Sequence, residues 1–90
     1  MPTQKKGEAK MEAREIIELL KEDELERWNM YVASIILQKD RKPEEIDFDL
    51  IDHSRALWCG IHVFLVDTLK EDFIGGDRRY KIPEWYENVV

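Results

Sequence analysis

The segment from Arg55 to Asp72 most constrains what this chain can fold into. From Ala56 to Val66 it carries no Asp, Glu, Lys or Arg, and it holds Leu57, Trp58, Cys59, Ile61, Val63, Phe64, Leu65 and Val66. Ninety residues support one hydrophobic core at most, and this segment must supply much of it. Read as a helix it is apolar nearly all the way round in its first half, so it is the central buried element, capped by Ser54 and ended by Gly75-Gly76. Its Ile61–Val66 portion also reads as a strand because of its β-branched residues, but the length of the whole segment favours a helix.

Two further helices precede it. Met11, Ile16, Ile17, Leu19 and Leu20 recur at helical spacing, predicting a first helix over residues 8–21, behind a flexible arm at residues 1–7. Glu22-Asp23-Glu24 interrupts the apolar pattern. Asp23 with Glu26 three residues on has the form of a capping box, so a second helix is expected from Glu24 to Lys39, burying Leu25, Trp28, Tyr31, Val32, Ile35 and Ile36. Residues 8–90 form a single small domain in this reading. Lys39–Glu45 is a loop, broken by Pro43 or opening a short helical turn there. Ile46-Asp47-Phe48-Asp49-Leu50 alternates apolar and acidic, the pattern of a short strand or residual hairpin over residues 46–51. The fold class is therefore mainly α with a minor β element, a small helical domain in an α+β arrangement.

Composition excludes some functions. The hydrophobic share of 43% beside a charged share of 38% suits a folded domain rather than a disordered tail. A net charge of −6 argues against direct nucleic-acid binding and against an anionic membrane surface, both of which attract a basic face. Cys59 is the only cysteine, so no disulfide forms within the chain; with no secretory leader visible at the start, the sequence reads as soluble and cytoplasmic.

The chemistry-bearing residues concentrate in Asp40–His53, DRKPEEIDFDLIDH, with carboxylates at Asp40, Glu44, Glu45, Asp47, Asp49 and Asp52. Such clusters suit a hard cation or a phosphate-transfer site, and equally an ordinary solvated acidic loop. The Asp-Arg-Lys-Pro-Glu-Glu run followed by Leu50-Ile51-Asp52-His53-Ser54-Arg55-Ala56-Leu57-Trp58 resembles the C-lobe of kinases related to HipA. That resemblance implies a base-like role for Asp40 and Mg²⁺ or ATP binding through Asp52, with Glu45 standing where the family has a metal-binding Asn. It covers about a quarter of the chain. No glycine-rich phosphate loop or strand lysine precedes it, so a complete kinase is excluded and a C-lobe remnant is what it implies.

Other groupings carry weaker chemistry. His53, Cys59 and His62 supply three of the four ligands a zinc site needs. Cys59 with His62 one helical turn away is a nucleophile and base without a recognisable oxyanion hole. Arg55, Arg78, Arg79 and Lys81 form either a phosphate-facing patch or surface ion pairs. Trp85 and Tyr86 beside Pro83, with Tyr80, are the partner-facing candidates, the alternative being a tail clamped onto its own core. The sequence thus predicts a small acidic interaction module, acting through a protein partner or as a dimer. Its alternatives are the kinase-like remnant and an acidic, phage-type inhibitor that mimics nucleic acid.

Overall fold

The computed structural model describes the backbone of residues 2–71 and 78–89, and side chains from residue 13 onward. The described residues are mainly helical, with no strand among them. A long helix α1 (Pro2–Ile36) is followed by a 3-10 turn (Pro43–Glu45), helix α2 (Phe48–Val63), a π-helical turn (Phe64–Thr68) and a short α3 (Glu84–Glu87). α1 and α2 pack against each other as an antiparallel hairpin. No described helix is long and apolar enough to cross a membrane.

The two helices expected over residues 8–21 and 24–39 are one. Glu22-Asp23-Glu24 does not break α1, because glutamate is a good helix former and neither Gly nor Pro intervenes between Glu8 and Lys42. Arg14–Glu18 (2.8 Å) and Asp23–Arg27 (3.1 Å) pair at one-turn spacing, with Glu18–Lys21 (3.5 Å) between them. α1 also runs back through the segment read as an arm, to Pro2. It ends through tighter i→i+3 bonds, Gln38 N–H to Ile35 O (3.0 Å) and Lys39 N–H to Ile36 O (3.2 Å).

The strand expected at residues 46–51 is also corrected. Ile46 leaves the 3-10 turn, Asp47 caps α2 by accepting the Leu50 N–H at 3.0 Å, and Phe48 begins the helix. A lone strand in a helical chain has no ladder to pair with, whereas an Asp cap satisfies a helix-end donor at once. Ser54, expected as the cap, therefore lies inside α2. Gln38, nearly fully buried, holds the connection shut. It accepts the Asp47 N–H through Oε1 and donates through Nε2 to Ser34 O (3.0 Å) and Asp47 O (3.4 Å).

The core lies between α1 and α2 at the end closed by this loop. Tyr31, Val32, Ile35, Ile46, Ile51 and Tyr86 form one cluster, and Trp28, Phe48, Ile82, Trp85 and Val89 pack against it. Beyond α2 the chain widens: Leu69 N–H reaches Phe64 O (3.0 Å) and Glu71 N–H reaches Leu65 O (2.9 Å). The stop follows at Lys70, which adopts φ 55°, while the stop expected at Gly75-Gly76 lies outside the described residues. A non-glycine residue in this left-handed region costs about 1 kcal/mol. Lys70→Gly should therefore match or exceed native stability in urea unfolding, and Lys70→Val should lose about 1 kcal/mol; equal losses in both would mean the conformation is unstrained.

Candidate functional site

Glu24 is completely buried, in the middle of α1. One of its carboxylate oxygens accepts from Trp58 Nε1 (2.9 Å) and lies 2.9 Å from His62 Nδ1, both on α2; the other accepts from Arg79 Nη2 (2.5 Å). A carboxylate can only accept, so the contact puts a proton on His62 Nδ1. Trp58 and His62 are one turn apart on α2 and stack at 4.8 Å, so they reach the same oxygen together. The Arg79 guanidinium also lies over the Trp28 ring, 5.1 Å from its centroid. Trp28 meets Trp58 edge-on at 4.9 Å and Tyr31 at 5.5 Å. One buried carboxylate thus ties three parts of the chain together through charge-assisted bonds.

The residues around Arg79 form a strap across α1. Trp28 Nε1 donates to Tyr80 O (2.7 Å), and Asn29 donates to Arg78 O (3.1 Å) while accepting the Tyr80 N–H (2.8 Å). Arg78 forks onto Glu22 at 3.1 and 3.2 Å. Ile82, Trp85 and Tyr86 continue the strap into the core. Near the far end of the hairpin, Glu71 pairs with Lys21 (2.8 Å) and Arg14 (3.4 Å).

The strap covers one side of the hairpin and leaves the other open. There Leu19 and Met30 of α1 and Leu37 just after it are 68, 60 and 79% exposed, and Leu50, Leu57 and Phe64 are each more than two-fifths exposed. Arg27, Met30, Ser54 and Leu57 line a shallow hollow shared by the two helices, and Arg27 donates to Leu57 O at 3.2 Å. Met30 and Leu57 therefore stand at the same height. Tyr80, half-exposed, borders a neighbouring hollow with Glu26, Asn29, Met30 and Ala33. The arrangement is a wide, shallow apolar face with a polar rim, a shape that suits a macromolecular partner better than a small molecule.

The residues expected to act are placed differently. Asp40 is exposed in the turn after α1, Glu45 spends one oxygen accepting its own turn's Lys42 N–H (3.1 Å), and Asp52 is exposed on α2. Ile51-Asp52-His53 is helical, so it is not the strand-end segment that the kinase resemblance implies. Among the described residues no three His, Cys, Asp or Glu side chains are grouped to hold a metal ion. His53 is exposed while His62 is bound to Glu24, so these two do not join Cys59. Arg78 and Arg79 face Glu22 and Glu24 rather than forming an outward phosphate patch. Of the three aromatic side chains expected to face a partner, Tyr86 is in the core, Trp85 packs against it, and Tyr80 alone is exposed.

Sequence reasoning missed Glu24 because the last of three consecutive acids reads as surface. The signal was its spacing: Glu24 is four residues before Trp28 and seven before Tyr31, on the inward stripe. Comparison with protein-family models, curated proteins and solved structures finds no match to this chain.

Removing a charge from a buried pair leaves its partner unpaired, so Glu24→Gln should cost about 3 kcal/mol and Trp58→Phe about 1 kcal/mol in urea unfolding. A Glu24→Gln loss no larger than that of Trp58→Phe would mean that the carboxylate does not organise the site. Titration gives a second expectation. The hydrogen bond from Lys21 holds the Glu71 carboxyl below its usual value and raises Lys21 above its own. Burial, helped by the nearby Tyr31 and Asp52, raises the Tyr86 phenol. Glu71's contribution is present above the ordinary carboxylate range and is lost as pH falls through its lowered value. Those of Lys21 and Tyr86 are present below their ordinary values and are lost as pH rises through the raised ones. Stability should plateau at neutral pH and fall on both flanks, and Lys21→Met should flatten the acid flank.

Proposed function

We propose that this chain is a small helical interaction module, acting by protein–protein contact through the open face of the α1–α2 hairpin. The observation that carries this reading is the concentration of large exposed apolar side chains, Leu19, Met30, Leu37, Leu50, Leu57 and Phe64, at helical spacing on the side the strap leaves uncovered. An isolated exposed leucine needs no explanation, but a patch spanning two helices marks a contact surface. The contact surface is therefore the hairpin face bordered by Tyr80, rather than the aromatic tail. The acidic balance of the chain, 20 Asp and Glu against 14 Lys and Arg, sets the rim charge and so affects encounter more than grip.

The kinase-derived reading needs Asp40, Glu45 and Asp52 to converge, and they lie on a turn, a 3-10 turn and a helix. The mimic reading needs the acids of residues 44–52 and of α1 to join in one surface, whereas Glu24 is buried and Glu22 and Glu71 are paired with cations.

Dilute protein should bind an apolar fluorescent dye. Met30→Glu with Leu57→Glu should remove most of that signal while leaving far-ultraviolet circular dichroism unchanged, since both side chains already meet water. Undiminished dye binding in the double variant would overturn this assignment of the surface.

A further inference from the structure

We infer that the occupant of the open face is a second copy of this chain, two hairpins closing into an antiparallel four-helix bundle with α1 of each against α2 of the other. This rests on the reading of that face as a contact surface and names its partner.

Three observations lead there. The first is periodicity. Leu50 and Leu57 of α2 and Phe64 just beyond it are exposed and recur every seven residues, as do Met30 of α1 and Leu37 just beyond it, with Ile16 two heptads before Met30. A seven-residue repeat is the seam that one helix offers another, and the two repeats meet where Met30 and Leu57 line one hollow. A two-helix seam is completed by another two-helix seam.

The second is area. The exposed fractions of Leu19, Met30, Leu37, Leu50, Leu57 and Phe64, at roughly 200 Å² for a whole large side chain, come to on the order of 700 Å². Each partner in a standard stable interface contributes about 800 Å². The six side chains alone thus come close to that area, and the polar rim around them supplies the remainder.

The third is charge, which decides the arrangement. Between Glu12 and Glu26, α1 carries seven acids, whereas α2 and its extension carry none from His53 to Val66. Placing α1 against the partner's α1 would set the acidic stretch of one helix against that of the other. Placing α1 against the partner's α2 avoids this and keeps the two acidic helices on the bundle diagonal. A two-fold axis parallel to the helices gives that packing and preserves height along them. Met30 and Leu57 share one height within the chain, so Met30 then meets the partner's Leu57, and Leu57 meets the partner's Met30. The half-exposed Asp23–Arg27 pair interrupts the seam on α1 and supplies the polar layer that fixes register.

Light scattering of the full chain across a concentration series is the test, with dye binding measured on the same samples. The mass should rise from 10.8 kDa to twice that value, dye fluorescence per chain should fall as it does, and Met30→Glu with Leu57→Glu should hold the mass at one chain at every concentration with helicity unchanged. In a Cys59→Ser background, Met30→Cys chains mixed with Leu57→Cys chains should form a disulfide-linked pair on oxidation, and neither alone should do so. A native mass of one chain throughout, with dye still bound, would overturn the second copy as occupant and leave the face to a different protein. One chain with no dye bound would overturn the contact surface as well. A dimer that survives the double glutamate variant would place the interface elsewhere, and cross-linking of Leu57→Cys with itself would overturn the pairing of α1 with α2.

Discussion

A single carboxylate inside α1 holds the parts of this structure in their relation to one another. Glu24 has no contact with water, and its two oxygens are shared among a Trp and a His from α2 and an Arg from the strap. Burying a charge costs several kcal/mol unless the surroundings return it through hydrogen bonds and an opposite charge. That demand sets the geometry. Trp58 and His62 must face α1 together, which fixes the rotation of α2 about its axis. Arg79 must reach inward, which brings the strap across the same side of α1. The aromatic rings of Trp28, Tyr31 and Trp58 fill the space around the ions and exclude the water that would weaken them.

Fixing the rotation of α2 also fixes what remains outside. With Ile51, Trp58, His62 and Leu65 turned inward, Leu50, Leu57 and Phe64 have to turn outward, because residues one position apart on a helix point about 100° away from each other. The strap can cover only one side of a two-helix layer. The bare side is the inevitable remainder of a core built by two helices and a strap, and here that remainder is leucine, methionine and phenylalanine. A core of this size is modest for ninety residues, and pairing is the common way for a small helical chain to bury more.

Several elements were legible in the residues themselves. Leu25, Trp28, Tyr31, Val32 and Ile35 follow helical spacing, and the structure buries all of them apart from the partly exposed Trp28, which still packs against the core; Ile36, expected to be buried with them, is exposed at the last position of α1. The Arg55–Asp72 segment is helical in its described part as far as Thr68, but it is not the central buried element expected: between Ala56 and Val66 only Leu65 is buried, and the core cluster is drawn from α1, Ile46, Ile51 and Tyr86 instead. The failures are equally local. Three acids at residues 22–24 looked like a break, but an acid can turn inward when cations and donors await it, and those lie 34 to 55 residues away in the chain. Ile46 to Leu50 alternates like a strand, yet a strand is defined by its neighbour, and Asp47 had a nearer use as a helix cap. Trp85 and Tyr86 looked available to a partner because nothing in a terminal sequence says what it folds back upon.

The sequence alone determined that this chain is helical and acidic, because periodicity, propensity and charge are properties of neighbouring residues. It also carried the seven-residue recurrence of Leu50, Leu57 and Phe64, although not which way that stripe would face. Only the tertiary structure decided that Glu24 is the internal anchor, that Arg79 serves it instead of a phosphate, and that the tail closes one side of the hairpin while the other stays bare. These depend on groups far apart in the chain meeting in a place without water, and the burial that sets the strength of each such contact exists only once the helices have packed.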